Sequence, residues 1–224
     1  MKKSYLVLTV GLLISGLLVN AQDIQSHALS SFGFFNNNFD EKYSRDMDGS
    51  PYLHTDWAKG IVKLANGEVF NGLDLKFDEI DNQLLYKDPK DGKTMQFIVA
   101  VTEFKITAPG NSSCQKYFRR VGDTTNSRFC EVIADGNVQF LKHTQKQIKL
   151  IQEYSFPTRE IVQAKDEYFL KIGNKLVSIK RNERSIITTL ADKEVQLKAF
   201  IKANKLDLSK DNDAAQLITY YNSI

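Results

Sequence analysis

The amino-acid sequence predicts a mostly β (α+β) fold, built as a curved antiparallel sheet with helices packed on it. Apolar and polar residues alternate in short segments between residues 49 and 180, which is the period of half-buried strands. Turn signals such as Asn66-Gly67 separate these segments, and the last forty residues change to the spacing of amphipathic helices. About nine or ten such strands indicate a curved sheet, a sandwich or an incomplete barrel.

The strands follow from alternation between turns. In residues 69–78, for example, Leu73, Leu75 and Phe77 share one face, as expected of a strand with one solvated side. Residues 145–166 are ambiguous, and a strand with a long excursion around Pro157 is the interpretation we adopt. The other predicted strands are 57–64, 69–78, 83–87, 94–102 continuing at 104–106, 116–121, 128–133, 138–144, 168–172 and 176–180.

Two or three helices are predicted after the last hairpin. Residues 185–190 and 192–203 form the first two, and Asn204 is placed to end the second. Ser209 is placed to cap a third helix. The apolar stripe of that third helix has the i, i+3, i+4, i+7 spacing of a face that packs on a sheet, and it consists of Ala214, Leu217, Ile218 and Tyr221.

The N-terminus has the pattern of a cleavable export signal. Lys2 and Lys3 precede an apolar run over residues 5–19, and Val19-Asn20-Ala21 offers small residues before a cut at Gln22. The run is shorter than the roughly 20 residues that a membrane span needs. We therefore predict a periplasmic or extracellular protein with no transmembrane span in the mature chain.

Four segments follow from these patterns. They are a signal peptide (1–21), an N-terminal extension (22–48), an antiparallel β domain (49–180) and a C-terminal helical segment packed on it (181–224). Removing the two signal-peptide lysines lowers the formal charge from +3 to +1. A near-neutral exported chain has no broad field to attract nucleic acid.

The sequence does not decide whether the two cysteines form a disulfide. An oxidising compartment favours a bridge between Cys114 and Cys130, which would close a loop of about 15 residues and stabilise the fold by ~3 kcal/mol. If residues 116–121 and 128–133 pair as a hairpin, however, Phe118 lies opposite Cys130 and Cys114 is out of register. Bridge and free thiols are both compatible with the sequence.

Several segments in this order resemble those of a set of exported, β-rich bacterial proteins of unknown function. The resemblance rests on Gly49-Ser50-Pro51-Tyr52-Leu53, on Trp57 to Gly60 with the following Asn66-Gly67 hairpin, and on the tail. In the tail, a hairpin over residues 168–180 precedes helices that end in Leu217-Ile218-Thr219-Tyr220-Tyr221-Asn222. The set has no established activity, so the resemblance implies a fold and no functional residues.

The densest polar group consists of Asp46, Asp48, His54 and Asp56. Asp46-Met47-Asp48-Gly49 is similar to the first half of a calcium loop, but the later acidic ligands are missing. His54 and Asp56 would share a strand face, as an acid/base pair requires. No nucleophile motif, phosphate-binding loop or dinucleotide fingerprint accompanies them, and the histidines are too far apart to indicate a zinc site. We predict no metal and no cofactor.

A basic hairpin is the other candidate site, and it could hold a carboxylate or phosphate. Adjacent Arg119 and Arg120 must point to opposite faces of a regular strand, which divides the patch. Its basic residues are Lys116, Arg119, Arg120 and Arg128.

These features favour a non-enzymatic binding or interaction protein of the cell envelope whose ligand the sequence does not name. One alternative is a carrier of a lipid or other apolar small molecule in a cavity between sheet and helices. Another is an assembly partner of an envelope protein, using an exposed strand edge or the aromatic N-terminal segment. A hydrolase that uses His54 and Asp56 is the remaining alternative.

Overall fold

A computed structural model describes residues 33–35, 42–43, 46–123, 126–152 and 157–224. The export signal predicted for residues 1–21 lies outside these residues, as does most of the N-terminal extension. Within the described ranges, no helix is both long and apolar enough to cross a bilayer.

Among the described residues, eleven antiparallel strands form one curved, open sheet in the order β1-β5-β4-β3-β2-β6-β7-β8-β9-β10-β11. Ten of the strands lie from Ala58 onward, which confirms the predicted mostly β fold, and β1 is a three-residue strand inside the predicted N-terminal extension. The strands are β1 (Gly33–Phe35), β2 (Ala58–Leu64), β3 (Val69–Asp78), β4 (Gln83–Lys87), β5 (Thr94–Phe97), β6 (Val101–Thr107), β7 (Gln115–Val121), β8 (Arg128–Ala134), β9 (Val138–Ile151), β10 (Arg159–Ile172) and β11 (Lys175–Ile179).

Two strand predictions need correction. Residues 94–102 are not one strand, because β5 pairs with β4 and β1 whereas β6 crosses over to pair with β2 and β7. The two-residue pattern that predicts a strand continues through Ile98-Val99-Ala100, so the sequence gives no sign that the chain crosses over there. Residues 145–151 extend β9 and residues 159–166 begin β10, and the register of these two strands is unbroken from Ile151–Arg159 to Val138–Ile172.

The sheet buries one face by two different means. In the curled half, β2 to β8 bend around a core that includes the rings of Phe77, Phe104, Phe118 and Phe129, here called the barrel-side core. Phe77 on β3 lies 5.1–5.8 Å from the other three rings, although β3 has no hydrogen-bonded neighbour among β6, β7 and β8. Only strong curvature brings these strands together.

The helix-covered half carries the second core. Here β8 to β11 pack against three helices, α1 (Glu183–Thr189), α2 (Glu194–Asn204) and α3 (Asp211–Ser223). The helix-side core includes Phe140, Leu170, Ile186, Leu197 and Leu217. The predicted stripe of α3 is confirmed, since Ala214, Leu217 and Ile218 are all buried.

The predicted cap of α3 is wrong. The N-cap residue is Lys210 and no side chain caps it, while the Ser209 hydroxyl donates to Asp207 at 2.6 Å. The Ser209 hydroxyl therefore stabilises the turn before α3 and does not cap the helix. At the other end, Asn222 accepts from the Val138 amide at 2.9 Å and donates to the Val138 carbonyl at 2.8 Å, which fixes α3 to the start of β9.

Charged pairs separate the two cores on the shared face. Lys116 pairs with Glu131 at 2.8 Å, and Lys142 pairs with Asp166 at 3.0 Å and with Asp211 at 3.4 Å. Glu131 lies opposite Lys142 in the register of β8 and β9. We call these five residues the polar seam.

The segment 48–53, here called the strap, crosses from β10 to β3. Asp48 exchanges backbone hydrogen bonds of 2.8 Å with Glu160 and Val162, and Leu53 donates to Phe77 at 2.9 Å. Under the strap, the Lys146 ammonium donates to the carbonyls of Ser50 and Tyr52 at 3.0 and 2.6 Å, and lies 2.8 Å from the Glu79 carboxylate.

Candidate functional site

A cavity of about 350 Å³ opens at one end of the barrel-side core. It lies where the turn between β3 and β4 faces the crossover between β5 and β6. The turn contributes Asn82 and Gln83, the crossover side contributes Phe97 and Val101, and β7 contributes Arg120. The volume falls in the lower part of the range for small-molecule sites.

The β3–β4 turn is held against β8 by one side chain. Asn82 adopts the left-handed conformation at φ 53°, which asparagine tolerates better than most residues. Its Oδ1 atom accepts from the Phe129 amide at 3.0 Å. This contact fixes the mouth of the cavity across strands that are not neighbours in the sheet.

Arg120 reaches the cavity from the buried face of β7. Its Nε donates to the Val101 carbonyl at 2.8 Å, its Nη1 donates to the Ser127 hydroxyl at 3.1 Å, and its guanidinium carbon lies 4.1 Å from the centre of the Phe129 ring. None of these partners is an anion. Burial lowers the pKa of Arg120, because a desolvated cation without a countercharge is disfavoured.

The other three cations of the predicted patch have carboxylate partners. Lys116 pairs with Glu131, Arg128 lies 3.3 Å from Glu167, and Arg119 lies 3.3 Å from Glu103 and 3.4 Å from Asp135. Among the described residues, Arg120 alone of the four makes no ion pair. The four residues therefore do not form one patch.

Arg119 illustrates the opposite environment on the other face of the strand. Burial lowers its pKa, but the Tyr117 hydroxyl at 2.6 Å and the carboxylates of Asp135 and Glu103 outweigh burial and raise the pKa overall. The predicted division of Arg119 and Arg120 between two faces agrees with the register, in which they lie opposite Cys130 and Phe129.

The predicted polar cluster is not assembled as an acid/base site. Asp46, Asp48 and Asp56 are exposed, and Asp48 takes part in the backbone bridge to β10. His54 makes no hydrogen bond to Asp56, both being described residues, and its Nε2 atom is buried without a partner. Burial and then the positive charges of Lys116 and Lys146 lower the pKa of His54. The charged groups that shift the pKa of this imidazole are cations.

Both cysteines are free thiols. Cys130 is fully buried on the face opposite the two large cores, next to Val121, Leu141 and Phe169. Arg119 lies opposite it, so the predicted pairing with Phe118 is wrong by one residue. Cys114 is exposed just before β7, five residues from Arg119, which is too far along the strand for a bridge.

The described residues contain no group of three or more histidine, cysteine, aspartate or glutamate side chains that could hold a metal ion. Asp46 and Asp48, in the segment similar to the first half of a calcium loop, therefore belong to no such group among the described residues.

A second cavity, of about 370 Å³, lies on the outer side of α1 and α2. Its charged lining residues are mixed in sign: Glu183, Arg184, Glu194 and Lys198. Lys198 pairs with Glu194 at 2.6 Å one helical turn away. This cavity offers no excess charge of either sign.

Comparison with known proteins adds no name to this architecture. No protein-family model matches the chain, and neither the curated proteins nor the solved structures contain a match. The fold and the site define the class of protein: a curled, open antiparallel sheet with a helical cover and an arginine-containing cavity at the open end.

The sequence contained a signal for this site that the patch interpretation missed. Lys116, Phe118 and Arg120 alternate along β7 and therefore share a face, and Phe118 marks that face as buried. A cation at the buried end of such a stripe needs a partner. The carboxylate that pairs with Lys116 is Glu131 on β8, and its position beside Lys116 rather than Arg120 follows from the strand register, which the sequence does not reveal.

Proposed function

We propose that this protein is exported and acts as a non-enzymatic binding protein that holds a small anion in the Arg120 cavity. The observation that carries the proposal is the half-buried Arg120 guanidinium, which lines a cavity and has no carboxylate partner among the described residues. A buried cation without an anion is costly, and a bound anion removes that cost.

The geometry of the guanidinium supports this role. Arginine has five N–H donors, and the two hydrogen bonds to Val101 and Ser127 use one on Nε and one on Nη1. One donor on Nη1 and two on Nη2 remain. A planar group with donors on both terminal nitrogens is the side chain that proteins use to bind carboxylate or phosphate oxygens in pairs.

The alternatives receive less support from the contacts. A carrier needs an apolar cavity between sheet and helices, and buried side chains of the helix-side core occupy that space, Leu217 and Ile218 among them. A hydrolase that uses His54 as its base needs a carboxylate beside the imidazole, and the charged groups that shift the pKa of His54 are lysines. The envelope location rests on the export signal in the sequence.

The test is binding of simple anions to the purified protein, with arginine variants that differ in face. Isothermal titration with acetate and with inorganic phosphate should detect binding of at least one anion by the native protein. Arg120→Gln should weaken that binding by about tenfold or more, since each charge-assisted hydrogen bond contributes on this scale. Arg119→Gln, one residue away on the other face, should leave it unchanged. Equal loss in both variants, or no binding of either anion, would contradict the proposal.

A further inference from the structure

The groups that a ligand meets in the Arg120 cavity are mainly polar. Leu84, Val101 and Phe129 are 4 %, 3 % and 1 % exposed, so these apolar lining residues present little surface to the cavity. The Arg120 guanidinium also covers the Phe129 ring, with its carbon 4.1 Å from the ring centre. Charges and hydrogen bonds, rather than buried apolar area, therefore select the ligand of this cavity.

Two ionisable residues line the cavity, and their charges are opposite. They are Arg120 on β7 and Asp81 in the turn between β3 and β4. Both are described residues, and they make no ion pair with each other, since Arg120 donates to Val101 and Ser127 instead. Opposite charges that line one cavity without meeting leave room for a ligand that carries both charges.

Lys42 does not cancel the negative charge on the turn side of the cavity. Its ammonium contacts the Asp81 carboxylate and lies 3.7 Å from the Asp78 carboxylate. Two carboxylates thus share one lysine, which leaves one formal negative charge beside the single formal positive charge of Arg120. A plain anion would add an excess negative charge next to Asp81, whereas a zwitterion adds none.

The Asp81 carboxylate can accept from a second cation. Its side chain is 42 % exposed, and Lys42 contacts its Oδ2 atom, so the Oδ1 atom is not used in this ion pair. An ionised carboxylate has about four acceptor positions on its two oxygens. An ammonium group in the cavity can therefore bind Asp81 without displacing Lys42.

From this arrangement we infer that the ligand is a small zwitterion whose carboxylate binds Arg120 and whose ammonium group binds Asp81. A free amino acid is the simplest molecule of this class. The inference rests on the proposed anion-binding function and names the ligand class for the same site. A cavity of about 350 Å³ has room for a compact molecule of this kind.

Three amino acids with one, two and three methylene groups between their charges serve as probes: glycine, β-alanine and 4-aminobutyrate. In isothermal titration, the one whose length fits should bind about fivefold or more tightly than acetate, because it adds a charge-assisted hydrogen bond to a partly exposed carboxylate. Its N-acetyl derivative lacks the ammonium group and should lose this gain. Its carboxamide lacks the carboxylate and should bind at least about tenfold more weakly than the amino acid.

A variant of Asp81 separates the two ends of the ligand. Asp81→Asn should reduce the affinity for the best amino acid to within about twofold of that for acetate, and it should not weaken acetate. Asp91→Asn is the matched control, because Asp91 is also a turn aspartate with a lysine partner, Lys93 at 2.9 Å, but does not line the cavity. It should change neither affinity.

The possible failures are distinguishable. Binding of acetate that is lost in Arg120→Gln, with no amino acid bound more tightly than acetate, would overturn the ligand class and leave the anion-binding function standing. A preference for an amino acid that survives Asp81→Asn would also overturn the class. Binding of the carboxamide as tightly as the amino acid, binding that survives Arg120→Gln, or no binding of any anion or amino acid would overturn both the class and the function.

Discussion

In the curled half of the sheet, Phe77 on β3 meets Phe104, Phe118 and Phe129 from strands that are not its neighbours, and no helix of the described residues covers this core. In the helix-covered half, Phe140 and Leu170 on the same face meet Leu197 and Leu217 from the helices. One face of one sheet is thus buried in two ways. Curling leaves an open end, and the Arg120 cavity lies there.

The difference accounts for the position of the Arg120 cavity at the open end of the curled half. Helices can shift to fill the space above a sheet, so the helix-side core has room for side chains alone. A curled sheet can close only as far as its strand hydrogen bonds allow, and its open end is bordered by the β3–β4 turn, where Asn82 accepts from the Phe129 amide. A gap at such an end is the expected place for a polar group that needs an external partner.

The largest effect should come from removing a ring in the curled half. Phe104 is 1 % exposed and stacks on Phe118 at 4.6 Å. Phe104→Ala should lower the free energy of unfolding by about 3–5 kcal/mol, and Leu217→Ala in the other half by about 2–5 kcal/mol. Because β8 contributes to both cores, urea unfolding followed by tyrosine fluorescence and by circular dichroism should show one coincident transition in both variants. Two separated transitions would show that the halves unfold independently.

The strap should depend on Lys146. Its ammonium pairs with the buried Glu79 carboxylate and also donates to two strap carbonyls. Lys146→Met should cost about 3 kcal/mol, because it leaves a buried carboxylate without its cation. Lys149→Met, three residues further along β9, changes an exposed lysine that has no ion pair among the described residues, and it should change stability by less than about 0.5 kcal/mol. Equal effects of the two substitutions, measured by urea unfolding, would contradict this role.

The pH dependence near neutrality should depend on His54. Its pKa in the folded protein lies below the ordinary 6.5, because burial, Lys116 and Lys146 all disfavour the imidazolium. The unfolded chain then binds more protons than the folded one as the pH falls through about 6.5. The contribution of His54 to the free energy of unfolding is therefore complete above that pH, and it is lost as the pH falls towards the lowered pKa of the folded state.

His54→Asn tests this dependence because it removes the titrating group at similar size. The free energy of unfolding of the native protein should fall between pH 8 and pH 5.5, and that of the variant should fall less. An identical slope in the two proteins would show that other groups control stability in this range.

The smallest effect concerns the face opposite both cores. Burial raises the pKa of the Cys130 thiol to about 12, so Cys130 should not react with a thiol reagent at pH 8 in the folded state. Cys114 is exposed and should react at once. A thiol titration should count one group in the folded protein and two in denaturant. A count of zero in both would indicate the Cys114–Cys130 disulfide that the sequence left open.

The sequence predicted the period of the strands and the stripe of α3 because burial imposes both patterns locally. It could not predict the crossover after β5, since Ile98-Val99-Ala100 alternates as a continuing strand would. The same limit applied to the site. Arg119 and Arg120 could be assigned to opposite faces, but the partners of Arg119 come from β6 and the β8–β9 turn. Which arginine lacks a carboxylate depends on strand order, and strand order is not a local property.

The most direct test of the central claim follows the arginine Nε–Hε signals in ¹⁵N-resolved NMR while acetate or inorganic phosphate is added. Arg120→Gln identifies the Arg120 signal by its disappearance from the spectrum. The account predicts that the Arg120 signal shifts in a saturable manner, while the signals of Arg119 and Arg128, which already have carboxylate partners, stay in place. A spectrum in which the Arg120 signal does not move, or in which all arginine signals drift together, would contradict the claim that this cavity binds an anion.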